Sequence, residues 1–200
     1  DEVLTMDDVD DYGKIFSQMS FKEAIEKELL TDYQIITIDV TDNEIAEFIR
    51  NNNLIKSNIK WGKESEARSL ASMIALRKAM NTYPIMNAVS FHSSIERALR
   101  SKDVNDIITN SYNYKPIDTF HVSGKDHTSQ RESIINEFAT SKRSLITNSR
   151  CLTEGVDVPN IDCILFADPR KSKVDIVQAL GRALRKKEGK NWGYVIIPII

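Results

Sequence analysis

The chain has 200 residues, 41% of them hydrophobic, with 27 Lys plus Arg against 29 Asp plus Glu and a formal net charge of −2. That is apolar material enough for one large core or two small ones, and it excludes a disordered acidic tail, a collagen-like repeat and a disulfide-stapled miniprotein. A near-neutral total gives no global pull on nucleic acid, so any such binding must come from a local patch. No apolar run approaches the ~20 residues of a membrane helix. The opening is acidic (Asp1, Glu2, Asp7, Asp8, Asp10, Asp11) and shows no leader pattern. The two cysteines, Cys151 and Cys163, each sit in an apolar segment. They read as buried thiols in a reducing compartment, and a cytoplasmic location is expected.

In chain order, Phe21 to Leu30 spaces Phe21, Ala24, Ile25, Leu29 and Leu30 for one side of a short helix. Tyr33–Val40 is β-branched and partly alternating, which predicts a strand. Thr41 or Asp42 can cap a helix through Ile45, Phe48 and Ile49. Residues 51–62 are polar and irregular, the pattern of a surface insertion. Residues 1–62 thus read as a leading segment packed on the same domain as the main unit, 63–200. From Glu64 to Met80 the chain predicts a long helix with Leu70, Met73, Ile74 and Leu76 on its apolar side. Strands then follow at Met86–Phe91, Ile117–Val122, Ser144–Asn148, Asp162–Ala167 and Gly193–Ile200. Between them lie helices after Ser93 or Ser94, over Ser129–Phe138 and over Val174–Arg185. This alternation predicts an α/β fold with a mainly parallel central sheet and helices on both faces. Ligands of such sheets gather at the carboxyl ends of the strands.

Val174–Arg185 carries the most chemistry. At ~100° per residue, Ile176, Val177, Leu180 and Leu184 fall on one arc that must face the sheet. Gln178, Arg182 and Arg185, spaced i, i+4, i+7, form a second stripe pointing away from it. Such a stripe is usually a solvated polar face. Its residue types suit something more specific: guanidinium is a permanently charged planar fork that fits phosphate oxygens, and two of them one turn apart can grip a triphosphate. Gly181 keeps the approach open.

Gln178–Arg185, Q-A-L-G-R-A-L-R, resembles the Q-x-x-G-R-x-x-R motif VI of superfamily two helicases and translocases. Leu152–Pro159 is similar to their motif V, with the usual strand between the two. Asn87–Ser94 resembles motif IV, a strand ending in a small polar turn. Val122–Lys125, followed by Arg131 and Phe138, matches the next strand and helix of the same domain. The similarity is closest to restriction-enzyme-type and DEAD/DEAH-like bacterial helicases and covers residues 64–200 well. Glu154 departs from the arginine of DEAD-box proteins and argues against an RNA helicase of that type.

The resemblance implies a RecA-like three-layer sandwich, specifically the second of two such domains. The first carries the phosphate loop and the acidic Mg²⁺ motif. Here no G-x-x-x-x-G-K-[ST] exists, and Asp7-Asp8 follows no apolar strand. ATP with Mg²⁺ is therefore the expected cofactor, its Mg²⁺ held by a missing N-terminal RecA-like domain of the same protein, and this fragment alone is expected to be inactive as an ATPase. By resemblance Arg185 is the arginine finger, Arg182 its companion on the phosphates, and Gln178 the link to motif V. Gly155 and Asp157 are the nucleotide-side residues of that motif. Asp157 reads equally as a turn residue before Val158-Pro159. Nucleic acid, DNA in preference to RNA, would cross the loops after the strands, with His92, Ser93, Gly124, Thr147, Asn148 and Ser149 as candidate contacts. Each of these is also an ordinary cap or turn residue. His121 and His127 have no partner at metal-ligand spacing, so no metal site is expected. Arg170, Lys171, Lys173, Lys186, Lys187 and Lys190 form a basic cluster around motif VI.

The alternative reading is a non-catalytic nucleic-acid-binding or scaffold module with the same fold. The intact Gln178, Arg182 and Arg185 favour the motor. An isolated dinucleotide-binding domain is disfavoured because no G-x-G-x-x-G follows a strand.

Overall fold

A computed structural model of the chain describes residues 9–51, 64–111, 114–149, 152, 158, 160–169, 173–183, 185–186 and 189–199. The elements are α1 (Val9–Tyr12), α2 (Phe21–Glu26), β1 (Asp32–Asp39), α3 (Asp42–Asn51), α4 (Glu64–Thr82), β2 (Asn87–Phe91), α5 (Ile95–Ser111), β3 (Asp118–Val122), α6 (Thr128–Thr140), β4 (Ser144–Asn148), β5 (Cys163–Phe166), α7 (Lys173–Ala183) and β6 (Trp192–Ile199). The strands form a six-stranded sheet in the order β1-β6-β5-β2-β4-β3. Every pairing between them is parallel.

The handedness of parallel crossovers decides which helix lies on which face. The chain travels toward the β3 edge from β1 to β2 and from β2 to β3. It travels back from β3 to β4, from β4 to β5 and from β5 to β6. Connections of opposite travel must cover opposite faces. The buried side chains obey this. Ile45 of α3, Leu70 and Met73 of α4, and Val104 and Ile108 of α5 share one core with Val40, Ala88, Leu145, Leu165 and Ile196. Ile135 and Phe138 of α6, Ala179 of α7, and Leu152, Val158 and Ile161 share the other with Val89, Phe91, Ile146 and Ile164. All five residues of β2 and all five of β4 are buried, as strands covered on both faces must be.

Three expectations change in detail. The helix predicted over Phe21–Leu30 ends at Glu26. Glu28 turns left-handed (φ 55°), and the Leu29 and Leu30 amides both donate back to the Ala24 carbonyl, at 2.8 and 3.2 Å. That reversal closes the helix as C-terminal caps do, and it frees Leu30 for an antiparallel bridge to Arg185. Second, α4 is buried on all sides and not on one: Ser69–Leu76, Arg77, Ala79 and Met80 are all inside. It packs between α3, α5 and the sheet, and Ala71, Ser72, Ala75 and Ala79 let those neighbours come close. Third, Val177 does not face the sheet. It is 50% exposed, whereas Ala179 is 1% exposed. The two lie ~160° apart around the helix, so the buried arc is centred nearer Ala179 than the sequence suggested.

The leading segment contributes β1, which pairs with β6 along its whole length. Thr41 begins α3 with a reciprocal cap: its Oγ1 accepts the Glu44 amide at 3.3 Å and its own amide donates to Glu44 Oε2 at 3.0 Å. Lys78 of α4 donates to Glu44 Oε1 at 2.5 Å. The Lys78 ammonium, with the Thr41 amide, holds the Glu44 carboxyl below its ordinary value. Thr41→Ala is expected to lower stability by about 0.5–2 kcal/mol, measured by urea unfolding. An unchanged midpoint would mean that the Lys78 contact alone secures the start of α3.

Candidate functional site

Strands β2, β4 and β3 lie side by side, and their registers run to their last residues, with Phe91 and Val122 both opposite Asn148. The loops that follow therefore leave the sheet at one height. This brings the predicted Ser93, Gly124 and Ser149 to neighbouring positions on the carboxyl edge. Ser93 and Gly124 are exposed. A Cβ placed on Gly124 would meet nothing within 4 Å, so the backbone there is open to an approaching ligand.

The side chains of the other predicted contacts are buried and bonded within the fold. His92 is 1% exposed. Its Nε2 meets Ser90 Oγ at 2.9 Å and its Nδ1 meets Ser101 Oγ at 3.4 Å, so the ring fastens the end of β2 to α5. Thr147 is fully buried, its Oγ1 shared between His121 Nδ1 at 3.0 Å and the Phe120 carbonyl at 3.4 Å. Burial lowers the His121 pKa from the ordinary 6.5. Asn148 is likewise buried, donating Nδ2 to the Ser90 carbonyl at 3.1 Å and accepting the Leu152 amide at 3.4 Å. Ser149 is 8% exposed. These polar groups at the end of a buried strand satisfy one another because desolvated polar atoms must be paired. They hold the loops in place, and the loop backbones with Ser93 make the accessible surface.

The sequence reading missed Asp168. It is 5% exposed at the carboxyl end of β5. Its Oδ2 accepts the Ser93 amide at 2.8 Å and Arg97 Nε at 2.9 Å, and its Oδ1 accepts from Arg97 Nη2. One carboxylate thus ties the β5 end, the motif IV turn and the first turn of α5 together, bidentate to the guanidinium. Burial raises its carboxyl, but the Ser93 amide and the Arg97 guanidinium outweigh that and keep it below the ordinary 3.8. The available signal was Ala167-Asp-Pro169, a carboxylate directly after an apolar strand on the ligand-binding edge.

The predicted arginines lie elsewhere. Helix α7 starts beyond the carboxyl end of β5 and returns the chain to the amino end of β6. Its 11 residues span ~16 Å. Arg182 is half-buried near its end, and Arg185 is exposed just past it. The Arg185 backbone bridges Leu30, two residues before β1 begins. Its carbonyl accepts Lys190 Nζ at 3.3 Å, and Lys190 also reaches the Ile161 carbonyl, just before β5, at 2.7 Å. The arginine-bearing turn is therefore at the amino end of the sheet, a helix length from Ser93 and Gly124. The predicted loop residues thus stand at the carboxyl edge of the sheet and the predicted arginines at its amino end.

Gln178 is on α7, but its side chain, together with Gly155 and Asp157, lies outside the described residues, as does residue 154. Of the basic cluster, Lys186 is 3.6 Å from Glu28 and Lys190 serves backbone carbonyls, while Arg170, Lys171, Lys187 and the Lys173 side chain lie outside the described residues. Cys163 is fully buried, and burial pushes its thiol well up. No helix among the described residues is long and apolar enough to cross a membrane.

Comparison with known proteins gives the family and the fold. Residues 70–187 match the helicase conserved C-terminal domain. Over 172 residues the chain is 28% identical to irc3 of Schizosaccharomyces pombe, named as a mitochondrial ATP-dependent helicase; the match covers 76% of this chain and 27% of that protein. The ATP-dependent type ISP restriction-modification enzyme LlaBIII, solved bound to DNA, superposes with a TM-score of 0.77 and 27% identity over 98% of this chain and 14% of that one. A fragment of a type I restriction enzyme HsdR subunit from Vibrio vulnificus YJ016 shares the fold, with a TM-score of 0.66 and 20% identity over 96% of this chain and 37% of that one. The chain thus spans about a quarter of irc3 and a smaller share of LlaBIII. With its parallel sheet, its covered faces and its motif VI helix in the matched span, the chain belongs to the helicase conserved C-terminal domain family and has the RecA-like fold.

Proposed function

We propose that this chain is the second motor domain of an ATP-dependent nucleic-acid helicase or translocase that acts on DNA. The observation that carries the reading is the solvent-facing Arg185 just past the end of α7, with half-buried Arg182 one turn before it on the flank of the arc buried at Ala179. Guanidiniums displayed in this way suit a phosphate chain presented by a facing domain. Arg185 stabilises charge on the transferring γ-phosphoryl group, Arg182 holds the neighbouring phosphates, and Gln178 links them to the motif V loop with Gly155 and Asp157. ATP supplies the phosphoanhydride bond whose hydrolysis powers the cycle, and the Mg²⁺ ligands belong to the N-terminal RecA-like domain. By completing the pocket from this side, the two arginines favour the closed pair of domains. Closure moves the grip of the Ser93, Gly124 and Ser149 loops along one strand, through backbone contacts that carry no sequence preference.

DNA as substrate is supported by the likeness to LlaBIII, whose structure was solved bound to DNA. The second domain of Mss116p bound to an RNA duplex resembles the chain in fold, with a TM-score of 0.51 and 16% identity. The buried Cys163 thiol suits the reducing cytoplasm that the sequence suggests. In the full-length protein, single-stranded or duplex DNA is expected to stimulate ATP hydrolysis more than RNA of equal length. Equal or greater stimulation by RNA would overturn the DNA assignment, and no stimulation by any nucleic acid would overturn the motor reading.

A further inference from the structure

The amino ends of β2, β3 and β4 form the edge of the sheet opposite the Ser93 and Gly124 loops. A cavity of about 500 Å³ opens there, between the end of α4 and the turns into β3 and β4. Its wall is apolar and aromatic at Met80, Tyr83, Ile85 and Met86, and its cations are Lys115, Lys142 and Arg143, set against one carboxylate, Asp118. Its size falls within the ~300–1,000 Å³ usual for small-molecule sites. None of its lining residues belongs to the site described above.

Behind the wall lies Arg77, 2% exposed and stacked 5.4 Å over the Tyr114 ring. Its Nη2 donates to the carbonyl of Lys115 at 2.7 Å. Its Nη1 is buried and meets no acceptor among the described residues. Arg143 donates Nη2 to the Met80 carbonyl, and its buried Nε also meets no acceptor among the described residues. Burial and the nearby Arg143 charge pull the Arg77 pKa down to about 10, and burial lowers that of Arg143. Two desolvated guanidiniums close together, each with a spare N–H and no carboxylate partner among the described residues, are costly for the fold alone. A carbonyl needs one donor, which a neutral amide could provide. In the cavity itself three cations line the wall against the single carboxylate of Asp118, and that surplus of positive charge matches an anion.

We propose that this amino-edge cavity binds a nucleotide phosphate, with the anion on Lys115, Lys142 and Arg143 and the flat base against Tyr83 and Met86. Arg77 strengthens the positive field from behind. The same chemistry is presented by a free nucleotide and by the terminal nucleotide of a strand.

The test is calorimetric titration of the chain at low salt, where screening is weakest, with pyrophosphate, AMP and a 5′-phosphorylated tetranucleotide. Lys115 and Lys142 are both exposed, so the double variant K115E/K142E retains the fold, checked by thermal melting. Pyrophosphate is expected to bind the unaltered chain, and K115E/K142E to weaken it at least ~10-fold, as loss of charge-assisted contacts implies. AMP binding tighter than pyrophosphate identifies a free nucleotide, and tighter binding of the tetranucleotide alone identifies a strand end. The proposal is overturned if pyrophosphate does not bind, or if K115E/K142E binds it as well as the unaltered chain. It is also overturned if neither AMP nor the tetranucleotide binds more tightly than pyrophosphate.

Discussion

Truncating Arg185 to alanine in the full-length protein is expected to cut nucleic-acid-stimulated ATP turnover by about 10³–10⁵-fold, the scale associated with an arginine finger. Nucleic-acid affinity is expected to stay the same. The separation follows from the geometry: the Arg185 side chain is exposed at the amino end of the sheet, while the loops of Ser93 and Gly124 leave the opposite edge. Leu30 pairs with the backbone of Arg185, so the bridge survives loss of the guanidinium. Steady-state kinetics should register the loss in kcat, because the charge is needed most when the γ-phosphoryl group is in transit. Arg185→Lys keeps a charge but loses the planar fork, and an intermediate loss is expected. Wild-type turnover in Arg185→Ala would remove the role assigned to this residue.

Replacing Asp168 by alanine is expected to destabilise the domain by about 3–5 kcal/mol, the usual result of removing one partner of a buried pair and leaving the other charged. The Ser93 amide loses its acceptor in the same step. For a chain of this size the melting temperature should fall by roughly 6–20 °C. The pH dependence has a definite sign. The folded carboxyl titrates below the ordinary 3.8, so the folded state binds fewer protons than the unfolded state in that range. The contribution of Asp168 is therefore complete above that ordinary value and is lost as pH falls through the lower folded value. Wild-type stability should drop in this acid window, and Asp168→Ala should drop less steeply across it. Parallel pH profiles for the two proteins would show that the pair does not set acid stability. Nucleic-acid binding should weaken in the variant as well, because Asp168 holds the Ser93 turn.

The order of strands and helices was legible in the sequence because each strand is a short apolar run ended by a turn or a cap. Ser144–Asn148 forms β4 at the predicted limits. The helix predicted over Val174–Arg185 was legible from its apolar spacing and forms as α7, Lys173–Ala183. Burial was harder to read. The periodicity of α4 places its long apolar residues, but the small residues between them are buried by neighbours distant in sequence. The arc of α7 was misjudged because Val177 and Ala179 differ in bulk: the larger residue was assigned to the core, and packing on the sheet admits the smaller. His92, Thr147 and Asn148 look like surface ligands in a one-dimensional motif, yet their partners Ser101, His121 and Ser90 become visible only once strands are paired. The Asp168–Arg97 pair spans 71 residues, beyond any local pattern. The amino-edge cavity is built from three separate turns, so no stretch of sequence announces it.

The turn that displays Arg185 is clasped by the stretch of chain arriving at β1, through the Leu30 bridge and the Glu28–Lys186 contact. A mechanical load on that arriving stretch is borne first by this turn, with a lever arm of only two residues before β1 anchors it. The turn that carries the guanidinium and the path of the incoming chain are thereby tied at the backbone.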